Sequence, residues 1–455
     1  MKVTTHTKMM LADCFTPVGL FLKLRDHFAR IVLLESSDYA QKEGSFSYLA
    51  FDPIASLNLT EEGANLSVEG LSQFNDAMID PVALVEDFLS SIEIQGTKSA
   101  HNGIFGFTSF DAISRFEPGS YNNSKEPSEI PLLFYDFYRF ILVFDHFRNQ
   151  LQIIENCPEA ENVQLDSIMG LLKRESHPSY TFMTKSEAVP NISDEAFKNM
   201  VDECKQHCQR GDVFQIVPSR SFAIEFRGDD FQVYRKLRSI NPSPYLFYFD
   251  FGSYRIFGSS PEAQIIVHGG KAELHPIAGT IRRTMDDEQD NINTEKLLND
   301  PKENAEHIML VDLARNDLSK NCTDVKVTSF REVQNFSHVI HLVSRVAATL
   351  KPGKSAYRIF ADCFPQGTLS GAPKYKAIEI IEKLEPSRRG FYGGAIGKIG
   401  FDNSLNHAIM IRSFYSKNNV LKMQAGAGIV IDSNREHELK EVSNKLRALQ
   451  SAVIC

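Results

Sequence analysis

Five short runs in the first 170 residues, RIVLLES, GSFSYLAFDP, GIFGFTSF, FYRFILVFDH and QLQIIE, follow one another with loops between them. Aromatic and β-branched residues dominate these runs, and such side chains pack best on a pleated surface. This part of the chain is therefore expected to be built on sheet. A chain of 455 residues exceeds one ordinary domain, so two or three are expected. Residues 174–195 (RESHPSYTFMTKSEAVPNISDE) are polar and carry two prolines, the signature of a linker. The expected division is residues 1–173, a linker at 174–195, and residues 196–455, where helices and long apolar strands are denser.

Charge and cysteine content exclude several functions. With 49 basic and 58 acidic residues the net charge is −9, which argues against nucleic acid or an anionic membrane as the main partner. No run approaches the roughly 18–20 apolar residues of a membrane span. The first residues, MKVTTHTKMMLADCFTPVGLF, lack the features of a signal peptide. Seven scattered cysteines read as reduced thiols of a cytoplasmic protein. Cys204 and Cys208 flank His207 at helical spacing, but a zinc site would need a second ligand pair. There is no tryptophan.

The chemistry-bearing residues crowd into the C-terminal part. HPIAGTIRR (275–283) runs through three small residues, Ala278, Gly279 and Thr280, into Arg282 and Arg283. Glycine admits a close ligand, threonine offers a hydroxyl and arginine recognises carboxylate or phosphate, so the stretch is suited to an anion. In DPKENAEHIMLVDLARNDLSK (300–320), Asp300, Pro301 and Glu303 fit a helix N-terminus. Its apolar residues cover most of the circumference, so a largely buried helix carrying Glu306, Asp312 and Arg315 is expected. SNREHELKEVSNKLRALQ (433–450) opens with a second capping box, Ser433 and Glu436, and presents Leu439, Val442, Leu446 and Leu449 as one stripe. LNHAIMIRSFYS (405–416) alternates like a strand with Arg412 in an apolar run. QAGAGIVIDS (424–433) reads as a strand entered through Gly426, Ala427 and Gly428, whose backbone can approach a ligand oxygen.

Alone, Glu306 reads as an interhelical salt-bridge residue, Glu441 as the i,i+4 partner of Lys445, and Arg412 as half of a buried ion pair. His338 and His341 read as core histidines, with acid or base chemistry as the alternative. Taken as i,i+3 pairs, Glu303/Glu306 and Glu438/Glu441 each place two carboxylates on one helix face. A hard divalent ion such as Mg²⁺ accepts one or two such groups plus water.

In order along the chain stand PIAGT, AEHIMLVDLARNDL, SHVIHLVSRV, GTLSGAPK, RRGFYGGAIG, IRS, QAGAGIV and a final helix with E…E…NK. Together they resemble the chorismate-utilising enzymes, and most closely the anthranilate synthase component I family, over roughly residues 200–450. The resemblance implies an α/β (α+β) fold of two packed, antiparallel-rich β-sheets flanked by helices, with N- and C-terminal parts interleaved. It implies Mg²⁺ on Glu306 and Glu441, with Glu303 and Glu438 acting through water. Chorismate would be held by Gly279, Thr280, Tyr392, Arg412 and the backbone of Gly426, Ala427 and Gly428. His341 would be the general acid that helps the ring hydroxyl depart, with Thr280 beside it in the catalytic set.

Two positions separate sister activities within this resemblance. The 4-amino-4-deoxychorismate synthases carry a lysine in PIKGT, where this chain has Ala278. Isochorismate synthases carry a lysine where this chain has Gln215 in FQIVPSR. With neither amine present, the implied nucleophile is external ammonia and the implied product anthranilate, with release of pyruvate. No glutaminase signature is found in the sequence, so a separate glutamine amidotransferase subunit, anthranilate synthase component II, is the implied partner. Ser36 in LLESS and Pro244, Tyr245 and Leu246 in NPSPYLF resemble the family's tryptophan feedback site; read without the resemblance they are a strand end and a proline-rich turn. A non-catalytic sensing subunit would be expected to lose a metal glutamate or the histidine, and Glu306, Glu441 and His341 are present. The chain departs from the family's usual RPRG continuation with Ile281, Arg282, Arg283 and Thr284, and has Leu246 where methionine is common, a volume-conserving exchange.

Overall fold

The five runs rich in aromatic and β-branched residues form the strands Ile31–Glu35, Phe46–Leu59, Gly103–Thr108, Leu133–Asp145 and Gln150–Pro158. The structure is a computed structural model that describes residues 1–36, 45–68, 71–74, 79–119, 121, 125–174, 177–284, 286–335 and 339–454. Ile31–Glu35 pairs antiparallel with Phe46–Leu59, which pairs with Leu133–Asp145; the latter continues to Gly103–Thr108 and Gln150–Pro158. The sheet then crosses between the two parts of the chain. Ile31–Glu35 pairs on its other edge with Tyr245–Asp250, and Gly103–Thr108 pairs with Ala395–Gly400. The interleaving implied by the resemblance is thus present, in a mixed α/β architecture of extensive antiparallel sheet flanked by helices. The segment 174–195 contributes two short strands, Phe182–Thr184 and Val189–Pro190, both laid against Ser219–Gly228.

The final helix, Arg435–Val453, buries Val442, Leu446 and Leu449 and packs on the helices Asp194–Arg210 and Phe231–Ile240. Burying a leucine-sized side chain is worth about 1.5–3 kcal/mol, so this stripe fixes the helix and leaves its Glu438/Glu441 edge for other work. Its N-cap is Asn434, whose side chain accepts from the amides of Glu436 and His437. Ser433 instead accepts from the Val430 amide at 3.1 Å, so the expected capping box is displaced by one residue. Asparagine caps as well as serine, and the local turn decides between them.

Three further expectations need correction. The helix Pro301–Ser319 starts as read, with Asp300 Oδ1 accepting from the Glu303 amide at 3.1 Å. It is not largely buried: Ile308 is 55% exposed, and Asp312 and Arg315 pair with each other on the exposed side. Apolar residues around a helix do not bury it when sheet covers only one side. The stretch 405–416 is two strands, Leu405–Ile409 and Ser413–Lys417, broken at a corner that contains Arg412. The glycines of QAGAGIV lie at the exit of the strand Val420–Gly426, not at its entry.

Candidate active site

One wall of the site is the strand Ile277–Arg282. Its register against Val339–Leu350 shifts between Ala278 and Thr280, and Thr280 lies opposite His341. The shift occurs at Gly279, whose φ of +80° favours glycine. A Cβ there would also lie 2.8 Å from Leu297 Cδ1 and 3.3 Å from Glu303 Oε2, so the Glu303 carboxylate rests against this turn. The side chains of Ala278, Thr280 and Arg282 lie outside the described residues, as does His338. His341 is buried and hydrogen-bonded to the Gly279 backbone. Burial first, and the Arg412 guanidinium second, push its pKa down to about 4, so in the free protein at neutral pH it is a neutral imidazole.

Arg412 forms the second wall from the corner between two strands, at a φ of +49°. A non-glycine residue in that region is held there by its surroundings. The Ser259 amide donates to the Arg412 carbonyl at 3.1 Å. The guanidinium has one long hydrogen bond, from Nη1 to Asn241 Oδ1 at 3.5 Å, and no ion pair within 4 Å among the described residues. Burial lowers its pKa from the ordinary arginine value, with Glu262 opposing the shift. Glu262 is itself buried, accepts from Thr368 Oγ1 at 3.1 Å, and has its pKa raised by burial to about 7 against the pull of Thr368, Lys445 and Arg412. A carboxyl group poised near neutrality between two cations in a cleft has the character of an acid–base group.

A third group of residues gathers around the end of the strand Val420–Gly426. The Tyr392 phenol is buried and hydrogen-bonded to the Gly426 backbone; burial raises its pKa. Lys445 donates to the Gly426 carbonyl at 2.9 Å and pairs with Glu441 at 2.8 Å. A Cβ on Gly428 would lie 2.8 Å from Gln215 Nε2, and the buried Gln215 Oε1 has no partner among the described residues. Gly428 therefore lies against Gln215, the residue singled out as a discriminator.

The carboxylate pairs lie on the helices Pro301–Ser319 and Arg435–Val453. Glu303 and Glu306 are half-buried, Glu438 is buried and Glu441 is exposed. His307 Nε2 and Ser344 Oγ, 2.6 Å apart, pin the Glu306 helix to the His341 strand. At the other end Lys374 pairs with Asp317 at 2.6 Å, both buried. Among the described residues no three His, Cys, Asp or Glu side chains gather closely enough to form a metal cage. The donors nevertheless fit Mg²⁺, which takes one or two carboxylate oxygens and completes its shell with water and substrate oxygens.

The two segments read as a feedback site are brought together. Ser36 follows the strand Ile31–Glu35, and Glu35 lies opposite Leu246. The Pro244–Tyr245–Leu246 segment enters beside it, next to a cluster that includes Leu34, Phe46 and Tyr48. Sequence reasoning missed Glu262, Thr368, Asn241 and Ser259. Glu262 stands in SSPEAQ, where an isolated carboxylate reads as a turn residue; only the tertiary approach of Arg412 and Lys445 gives it meaning.

Comparison with known proteins identifies the family. The chorismate binding enzyme family matches residues 31–451. The chain is 34% identical to anthranilate synthase component 1 of Aquifex aeolicus over 98% of this chain and 93% of that protein. It is 36% identical to the protein of the same name from Neisseria meningitidis serogroup B, over 97% and 93%. Among solved structures, anthranilate synthase component I from Streptococcus pneumoniae superposes with a TM-score of 0.78 at 30% identity, covering 97% of this chain and 99% of that one. The menaquinone-specific isochorismate synthase from Escherichia coli shares the fold, with a TM-score of 0.76 at 19% identity over 99% and 95%.

Proposed function

The chain belongs to the anthranilate synthase component I family of chorismate binding enzymes, and we propose that it converts chorismate and ammonia to anthranilate and pyruvate, the first step of tryptophan biosynthesis. Ammonia adds at C2 as the C4 hydroxyl leaves with a proton, giving water and an aminated ring. Loss of the C2 proton and of the enolpyruvyl group, released as pyruvate, makes the ring aromatic. The observation that carries this reading is the pairing of an under-compensated Arg412 with a pocket that offers no nucleophilic amine at 278 or 215: Ala278 and Gln215 occupy those positions. Arg412, Lys445 and the 426–428 backbone suit a dicarboxylate, and Tyr392 is fixed on that same backbone.

Glu306 and Glu441 would hold Mg²⁺, with Glu303 and Glu438 acting through water. When bound, the ion supplies Lewis-acid stabilisation of developing negative charge. The chain's own groups divide the proton work. Glu262 with its pKa near 7 keeps a proton available at neutral pH, whereas His341 is neutral in the free protein, and a substrate dianion that compensates Arg412 removes the smaller of the two causes that hold its pKa down. His341 then acts on the departing hydroxyl, as the resemblance implies. Gln215 Oε1, which has no partner among the described residues, supplies a hydrogen-bond acceptor that ammonia can use. Ammonia comes from a separate glutamine amidotransferase subunit, and tryptophan binds at Ser36 and Pro244–Leu246 as a feedback inhibitor.

The test is a fluorescence assay for anthranilate with purified protein, chorismate, an ammonium salt and Mg²⁺, with and without EDTA. A signal that requires both ammonium and Mg²⁺ is expected. Chorismate consumption without anthranilate would indicate a sister reaction. Untouched chorismate would favour a sensing subunit.

A further inference from the structure

The residues placed around the substrate above, from Gln215 to Lys445, all lie beyond position 200. The N-terminal part of the chain reaches them through the turn that follows the strand Gly103–Thr108. That strand pairs with Ala395–Gly400, with Thr108 opposite Ala395, so residues 109–112 emerge beside the turn 389–394 that carries Tyr392. The Phe110 amide donates to the Gly390 carbonyl at 2.8 Å, and the Gly390 amide donates to Asp111 Oδ2 at 3.2 Å. Both polar groups of Gly390 are thus taken up by the N-terminal part. The fit is close: Gly390 has a φ of +56°, and a Cβ on Gly394 would lie 2.5 Å from the Thr108 carbonyl oxygen and 2.9 Å from the Phe110 nitrogen.

Asp111 is 1% exposed, and its other oxygen accepts from the Tyr121 hydroxyl at 3.1 Å. Two donors hold the carboxylate in one orientation. Burial pushes its pKa up to about 6 against those two hydrogen bonds, with Glu382 adding to the rise and Arg389 opposing it. Unlike Glu385, which pairs with Arg389 at 2.6 Å, Asp111 has no ion pair within 4 Å among the described residues. A buried carboxylate without a cation partner is a costly way to hold one backbone amide, which points to the placement of that amide as its purpose.

What that amide places is the Tyr392 turn. The Arg389 guanidinium lies over the Phe110 ring at 4.7 Å and over the Tyr392 ring at 5.6 Å, and the Tyr392 amide donates to the Arg389 carbonyl at 3.2 Å. On the far side the Gly393 amide donates to the Met410 carbonyl at 3.0 Å, and the Met410 amide to the Gly394 carbonyl at 2.8 Å. The turn is therefore clamped between residues 108–111 and the strand end just before Arg412. We propose that Asp111 is a positioning residue of the substrate site: through the Gly390 amide it sets the turn that holds the Tyr392 phenol against Gly426, where the phenol meets chorismate. The inference rests on the reading of Tyr392 as a substrate-binding residue.

The test is a double-mutant cycle on chorismate binding, read by titration calorimetry with Mg²⁺ at pH 8 in wild type, Asp111→Asn, Tyr392→Phe and the double variant. Asparagine keeps the volume but offers one oxygen where two donors point. Asp111→Asn is expected to raise Kd about three- to tenfold, the range of one hydrogen bond. In the Tyr392→Phe background the same change should alter Kd less than about twofold, whereas a merely structural role would leave the two effects multiplicative. Binding in Asp111→Asn equal to wild type, or a loss undiminished in the Tyr392→Phe background, would overturn the proposal. Should Asp111→Asn fail to fold, Tyr121→Phe removes one of the two donors to the carboxylate and should raise Kd about two- to threefold, again only with Tyr392 present; unchanged binding there would overturn the proposal as well. A Tyr392→Phe protein that binds chorismate like wild type would refute the reading of Tyr392 and the positioning with it. Wild-type protein that binds chorismate without forming anthranilate would refute the proposed reaction alone, and the cycle would still decide the role of Asp111.

Discussion

Arg389, buried, and Arg412, half-buried, lie 23 residues apart in sequence, and they live in opposite states. Arg389 donates to both oxygens of Glu385 at 3.0 and 2.6 Å, to the Leu369 and Val217 carbonyls at 2.6 Å each, and lies over the Phe110 ring at 4.7 Å. Glu385 is completed by the amide and hydroxyl of Ser219, both at 2.8 Å. Among the described residues Arg412 has a single 3.5 Å hydrogen bond, and the carboxyl group that acts on it electrostatically, Glu262, is pushed toward neutrality by burial. A buried charge with every nitrogen bonded is a structural joint; a half-buried one with donors to spare is held ready for something that arrives. The rim pair Glu441–Lys445 is a third case, exposed and bonded only to the extent that Lys445 reaches Gly426.

The largest effect should come from the rim. Glu441→Gln, or EDTA on the wild type, should reduce anthranilate formation by at least about a hundredfold, because Lewis-acid assistance is worth several kcal/mol. The melting temperature should move by no more than about 2 °C, since an exposed ion pair contributes at most about 1 kcal/mol. Full activity in Glu441→Gln would remove that residue from the metal site.

Next comes the structural joint. Arg389→Gln strands Glu385 in the interior and should cost about 3–5 kcal/mol in denaturant unfolding. A change below about 1 kcal/mol would erase the distinction between the two arginines.

Glu262 sharpens the other side of the comparison through pH. Its folded pKa of about 7 lies above the ordinary 4.5, so the native state binds the extra proton between those values. The resulting stability is complete below about pH 4.5 and is lost as pH rises through 7. Relative to Glu262→Gln, wild-type protein should lose on the order of 3 kcal/mol across that window. The variant should also lower kcat by about 10²–10⁴-fold. A flat difference in stability would place Glu262 in a more solvated environment than the one described. The smallest change in stability is expected for Ala278→Lys, which alters chemistry instead. An amine at 278 should divert chorismate to another product or trap it covalently, read by mass spectrometry; unchanged anthranilate output would refute the reading of that position.

Much of the fold was legible because its signals are local. The aromatic runs became strands and the Leu446 stripe became a buried helix face, since composition and period decide such elements. The helix 301–319 and the corner at Arg412 were misread for one reason: neighbours in space decide how much of a helix is covered and where a strand breaks. The site divides in the same way. Gly279, His341, Arg412 and the 426–428 backbone stood out by unusual residue types in apolar context. Glu262, Asn241 and Ser259 are ordinary residues in turn or strand settings, and their roles arise from approaches across 150 residues or more. Sequence spacing carries no trace of those approaches.

The most direct test of the central claim is a thermal melt of Arg412→Gln with and without chorismate, beside wild type. If Arg412 is kept under-bonded for substrate, the variant should melt no lower than wild type, and chorismate should raise the wild-type melting temperature but not the variant's. A variant that melts several degrees lower, yet is still stabilised by chorismate, would show that Arg412 is a structural joint like Arg389 and that the substrate carboxylate is held elsewhere.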